Sequence, residues 1–180
     1  MQDRPDPGLR ISVIGTTGSG KTTFAHALAQ RLDLPHVELD ALHWGPDWTE
    51  TPRDEFRARV AAALSAERWV TDGNYSKARD VIWSRAQTLV WLDYPLRIAF
   101  WRLLRRTLRR TITREELWNG NRETWRGAFF SRDSLLLYQL RTYRRRRRDY
   151  PILLTQPEYA HLTLVRLRSP READRWLAQV

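Results

Sequence analysis

Eight consecutive residues constrain this chain more than any others. Gly15-Thr16-Thr17-Gly18-Ser19-Gly20-Lys21-Thr22 fills every fixed position of the pattern G-x-x-x-x-G-K-[ST]. Arg10-Ile11-Ser12-Val13-Ile14 precedes it, a short β-branched run that reads as a buried strand; after it Phe24, Leu28 and Leu32 recur every four residues, as on one face of a helix. A strand that turns through glycines into a helix gathers free backbone N–H groups and the positive end of the helix around one point. Glycine keeps Cβ atoms out of that space. A phosphate chain fits there, with Lys21 as a point charge on the β and γ phosphates and the Thr22 hydroxyl as a ligand for Mg²⁺. Residues 15–22, with Thr23, are therefore expected to hold a nucleoside triphosphate, read as ATP with Mg²⁺.

The rest of the chain repeats the same alternation. His36–Leu39, Arg68–Thr71, Thr88–Leu92 and Leu162–Leu167 read as further strands, with Asp40–Glu50 as a loop. Helical patterns fall between them: one opening at Thr51-Pro52 with Thr51 as its cap, a short one near Lys77–Ser84, a long one over Leu96–Thr111, and another from Leu135 to about Arg148. Ser169-Pro170-Arg171-Glu172 is a capping box that opens the last helix. Strands alternating with helices predict an α/β fold, a five-stranded parallel sheet covered on both faces. Residues 1–9 read as a flexible tail and 10–180 as one domain, in which about 112–133 lack a clean period.

Composition narrows the chemistry. Of 180 residues 42% are apolar and 29% charged, enough for a core and against a disordered chain. With no cysteine, disulfides, thiol nucleophiles and thiolate zinc sites are excluded. No apolar run approaches the roughly 20 residues that span a bilayer, and Met1–Leu9 has no signal-peptide core, so a cytoplasmic location is expected. The net charge of +10 is uneven: residues 1–90 carry 11 basic and 12 acidic groups, residues 91–180 carry 20 and 9. Nearly all the excess is arginine, which grips phosphate as a two-pronged fork. The run Arg144–Arg148 circles its helix and reads as solvent-exposed.

Three segments extend the pattern beyond the phosphate loop: Leu39-Asp40-Ala41-Leu42-His43-Trp44 after the second strand, Val70-Thr71-Asp72-Gly73-Asn74-Tyr75 after the third, and Leu92-Asp93-Tyr94-Pro95 after the fourth. With the loop they resemble the small P-loop kinases (adenylate, shikimate and gluconate kinases). The combination looks most like the kinase-like group named "DNA topology modulation protein", over Arg10–Leu177. The resemblance implies a P-loop NTPase fold and ATP-dependent phosphoryl transfer to a small acceptor. It departs from adenylate kinases where they carry an arginine four residues after the aspartate of the third strand: Ser76 stands there, and the nearest arginine is Arg79.

The site residues follow from these positions. Asp72 is placed to hold Mg²⁺ with Thr22, and Asp40, at a carboxyl edge, to orient or deprotonate an acceptor hydroxyl. His43, Asn74, Tyr75 and Arg79 are candidate acceptor contacts, with Trp44 and Trp48 as candidate walls; Asp93 reads as a turn residue. The resemblance also implies that arginines of the helix after the fourth strand contact ATP, with Arg102 and Arg106 as the candidates. The resemblance makes the Arg-rich stretch at about 112–133 a lid, in which Arg122, Arg126 and Arg132 are candidates for stabilising the transferring phosphoryl group. Three functions compete: a kinase for a nucleotide, nucleoside or hydroxylated metabolite, a nucleic-acid-associated P-loop ATPase drawing on the basic half, and a nucleotide-binding regulator with little turnover. A weak, sequence-independent contact with nucleic acid is compatible with the first two.

Overall fold

The computed structural model describes residues 6–123 and 135–180, apart from the Leu136 side chain. Strands β1 (Arg10–Gly15), β2 (His36–Glu38), β3 (Trp69–Asp72), β4 (Thr88–Leu92) and β5 (Thr163–Leu167) form one sheet in the order β2-β3-β1-β4-β5. Every pairing is parallel. Helices α1 (Lys21–Leu32), α2 (Leu39–His43), α3 (Arg53–Ala63), α4 (Arg79–Trp83), α5 (Leu96–Thr113), α6 (Leu135–Leu154) and α7 (Pro170–Gln179) connect and cover it. Side chains alternate across a strand, so β1 feeds two cores. Ile11 and Val13 pack with Phe24, Leu28 and Ala173 of α1 and α7, while Ile14 packs with Phe56, Val60 and Trp83 of α3 and α4. The central strand is buried from Ile11 to Gly15, which is why it reads as a nearly continuous apolar run.

Local chemistry moved several boundaries. The chain leaves β2 one residue early: Leu39 turns inward to full burial, and Leu39 and His43, four apart, become the inner face of α2. Asp40 therefore stands on the first turn of a helix rather than at the end of a strand. Thr51 does not cap α3; its hydroxyl donates to the Leu42 carbonyl, and Pro52 occupies the cap position. Ser169 does cap α7, accepting from Glu172 N at 3.3 Å, while the Glu172 carboxylate accepts from Arg168 N, one residue before the expected partner. Helix α6 runs past Arg148 and through Pro151. Proline costs an intrahelical bond, but Tyr150 is buried there against Trp83 and Trp91. Gly8 and Leu9, expected as tail, lie against Gln87, whose Oε1 accepts from Leu9 N at 2.7 Å.

Asp93, just past β4, is a buried junction rather than a turn residue. Its carboxylate meets Arg147 Nε of α6 at 2.8 Å and Arg166 Nη2 of β5 at 2.6 Å, with the side chain only 1% exposed. Arg166 also lies over the Trp91 ring, 4.4 Å from its centroid. Two guanidiniums on one buried carboxylate fix α6 against the sheet.

Candidate active site

The glycine loop wraps from β1 into α1 as its sequence requires. Gly18 (φ +79°) and Gly20 (φ +90°) take left-handed conformations, and Gly20 caps α1. Gly18 is also enclosed: an added Cβ would collide with the Ala99 carbonyl and lie 2.7 Å from Leu103 Cβ, both on α5. Gly18→Ala is expected to cost about 3 kcal/mol from left-handed strain plus overpacking, read as a lower urea midpoint at unchanged slope. Inside the loop the buried hydroxyls of Thr16 and Ser19 have no hydrogen-bond partner among the described residues. Buried hydroxyls are rarely left so, and a phosphate chain offers the missing acceptors. Thr23 stands exposed on the first turn of α1.

Lys21 points back over the loop, donating to the Thr16 carbonyl at 3.4 Å. Its ammonium is held down to about 8, mainly by burial. Asp72 and Asp40 act to raise that value, Arg146 and Arg106 to lower it, so four charged groups surround Lys21. Asp72, 5% exposed at the end of β3, accepts from the Thr22 hydroxyl at 2.7 Å on one oxygen, and its other oxygen lies 2.9 Å from His36 Nε2. A threonine hydroxyl that donates to a carboxylate turns its lone pairs outward, as a Mg²⁺ ligand must. The donor set fits the cation expected from the loop. Among the described residues no group of three or more His, Cys, Asp or Glu side chains could hold a metal by itself, so any cation would be shared with phosphate oxygens.

Asp40 faces the same space. The Tyr75 hydroxyl donates to Asp40 Oδ1, and burial, then Asp40, push the phenol pKa up. Arg106 sits near Asp40, Arg110 and Glu123; burial, then Arg110, work against its charge, and its Nε is buried without a partner among the described residues. Arg110 Nη1 bonds Glu123 Oε1 at 3.3 Å. Arg102 donates to the Ser19 carbonyl at 3.1 Å and lies over the Tyr94 ring.

Other candidates are placed differently. Asn74 is committed to the phosphate loop: its Oδ1 accepts from Gly15 N at 3.2 Å and its Nδ2 donates to the Gly15 carbonyl. His43 is a packed histidine, 4% exposed and in ring contact with Trp44, Phe56 and Tyr75, and burial lowers its pKa. Arg79 lies over the Trp83 ring in a small cavity shared with Asn74, Tyr75 and Tyr150. Arg122 is exposed and paired with Glu116 at 3.2 Å. Its segment is stapled to the loop after α2, where Asn121 donates to the Gly45 carbonyl and accepts from Trp48 N, both at 2.8 Å. Trp48 thus belongs to that staple. Arg126 and Arg132 lie outside the described residues.

Sequence reasoning missed the contribution of α6. Arg144–Arg148 is not uniformly exposed: Arg146 is half-buried and close enough to Lys21 to act on its charge, while the exposed Arg147 still pairs with Asp93. Arg146 Nη2 donates to the Tyr138 hydroxyl at 2.9 Å, and its Nη1 is buried without a partner among the described residues. Two turns before it, Gln139 is fully buried and donates to the Thr17 carbonyl at 2.7 Å. The available signal was a stripe at helical spacing, Gln139, Thr142, Tyr143, Arg146 and Tyr150, polar or aromatic and facing inward.

Known proteins carry the same architecture. The family model described as "ATPase family associated with various cellular activities (AAA)" matches residues 11–82. A gluconokinase from Sinorhizobium meliloti 1021 superposes with a TM-score of 0.52 at 22% identity, covering 96% of this chain and 92% of its own. A shikimate kinase from Aquifex aeolicus superposes at 0.54 and 16% identity, covering 94% and 92%. A shikimate kinase from Acinetobacter baumannii, in complex with shikimate, does so at 0.54 and 17%, covering 95% and 90%. The fold is that of the P-loop NTPases. No curated protein sequence matches the chain. Among the described residues no helix of this P-loop protein is long and apolar enough to cross a membrane.

Proposed function

We propose that this P-loop protein is an ATP- and Mg²⁺-dependent phosphotransferase that moves the γ-phosphoryl group to the hydroxyl of a small acceptor bearing an anionic group. The observation that carries the reading is the charge arrangement at the carboxyl edge of the sheet. Asp40, Arg106 and Arg146 all lie close enough to Lys21 to act on its charge. A nucleotide hydrolase needs only the loop and a positioned water; a carboxylate and two incompletely paired guanidiniums facing the loop suit a second substrate with a hydroxyl and an anion.

The residues divide the work accordingly. The loop N–H groups and Lys21 bind the phosphates, and Thr22 with Asp72 holds Mg²⁺. When bound, Mg²⁺ neutralises charge on the β and γ oxygens. Asp40, with one oxygen engaged by Tyr75, turns the other to the acceptor hydroxyl and takes its proton. Arg106 and Arg146 hold the acceptor anion and the charge spread over the transferring group. Catalysis is then positioning plus electrostatic stabilisation.

The test is ADP formation from Mg·ATP with a panel of acceptors: nucleoside monophosphates, nucleosides, hydroxy acids including shikimate and gluconate, and duplex DNA. Stimulation of about 10²-fold or more by one small acceptor, lost in Asp40→Asn, is the expected result. The outward stripe of α6, Arg141, Arg144, Arg145 and Arg148, is exposed and favours a second reading, a nucleic-acid-linked ATPase. Stimulation by DNA alone, collapsing between 50 and 200 mM salt, would replace the first reading with the second.

A further inference from the structure

We propose that His36 is a positioning residue for the Mg²⁺ site, acting through Asp72 and Thr22. The inference rests on the phosphoryl-transfer reading above. In the β2–β3 register His36 lies opposite Val70 and Glu38 opposite Asp72. Residues 70 and 72 point to the same face, so the His36 side chain reaches diagonally along that face to the Asp72 carboxylate. The contact is made at 2.9 Å by Nε2, with side chains 10% and 5% exposed. The His26 ring, on α1, lies beside it at 6.0 Å between centroids.

The two oxygens of Asp72 thus have separate tasks. Oδ2 receives the Thr22 proton and Oδ1 receives the N–H of His36. Without the second contact the carboxylate could rotate about its terminal torsion, which is soft. The Thr22 hydroxyl would then no longer be forced to aim its lone pairs at the cation. His36 touches neither cation nor nucleotide; it fixes the partner that fixes the ligand. Contacts of this kind around metal ligands are typically worth 10–100-fold in metal affinity.

The experiment measures ADP binding by calorimetry, with Mg²⁺ and with EDTA, in the wild type, His36→Leu, His36→Ala and His36→Gln. Both His36→Leu and His36→Ala remove the donor, one filling the space and one leaving it, so failure of either to fold leaves the other to be read. His36→Gln keeps an N–H donor. The wild type is expected to bind ADP more tightly with Mg²⁺. Loss of the donor is expected to cut that metal-dependent gain about tenfold, with EDTA affinity within about twofold of wild type and His36→Gln within about threefold of the full gain. Titration of Mn²⁺ in the presence of ADP, followed by electron paramagnetic resonance, should show the same tenfold loss. An undiminished gain in the donor-less variants overturns the role of His36, as does an equal fall in EDTA. A wild type with no metal-dependent gain overturns the Mg·nucleotide reading itself, and is seen before any variant is measured.

Discussion

Lys21→Met should abolish acceptor-dependent phosphoryl transfer, by about 10³-fold or more, and at the same time make the ligand-free protein more stable. The loss follows from removing a charge aimed at the β and γ phosphates within a water-poor site, where single donors are typically worth 10²–10³-fold. The gain in stability follows from the cost of holding Lys21 in place without a ligand. Burial pulls its pKa down to about 8 from 10.5. Below pH 8 both folded and unfolded chains carry the proton, and the folded state bears the full cost. Between about pH 8 and 10.5 only the unfolded chain keeps it, so stability rises with pH across that window. With allowance for partial exposure the cost is of order 2 kcal/mol, or about 5 °C in melting temperature for a chain of this size. Scanning calorimetry at pH 7 should show the Lys21→Met variant melting higher than wild type, and at pH 10 the two should converge. An equal or lower melting point at pH 7 would show that Asp72 and Asp40 compensate the ammonium fully.

Arg146→Ala should lower kcat by about 10²–10³-fold while leaving ADP affinity within a few-fold. Its guanidinium, on α6, has one buried nitrogen without a partner among the described residues and repels Lys21 in the ligand-free protein. Two cations held together favour an anion that arrives between them, and most strongly the one whose charge spreads as transfer proceeds. Arg146→Lys should not restore the rate, because an ammonium cannot both bond Tyr138 and present a second planar donor. Arg145→Ala, one residue away on the exposed face, should leave turnover unchanged. Steady-state kinetics on the three variants separates a directed guanidinium from a general loss of positive charge, which would lower the rate equally in Arg145→Ala.

The strand-loop-helix at the phosphate site was legible because each of its residues is dictated locally: β-branched residues for the buried strand, glycines at positive φ, and a lysine and threonine at the helix start. The alternation of elements, and hence the parallel sheet, followed from periodicity. What escaped is non-local. Asp40 on α2 could not be anticipated while Leu39 read equally well as strand, since its inward turn depends on the core built by Phe56, Trp69 and Ile82. Five consecutive arginines advance about 100° each around a helix, so the run alone cannot say which members turn inward. That depends on Asp93, 54 residues earlier. His43 shows the reverse: a histidine in a site-like segment that packing claimed.

The junction at Asp93 has a consequence for the order in which the molecule matures. The phosphate loop occupies residues 15–22, yet Gln139, 122 positions later, caps the Thr17 carbonyl, and Arg146 completes its charge. The helix carrying both is pinned through a carboxylate whose second cation, Arg166, comes with the edge strand β5. A chain folded only as far as α6 would have its glycine loop but one arginine too few on a buried carboxylate, and α6 would be loosely seated. Closing such long loops is slow. On the proposed reading, the residues that grip phosphate come early along the chain, and the helix that completes their charge waits for the last strand to dock.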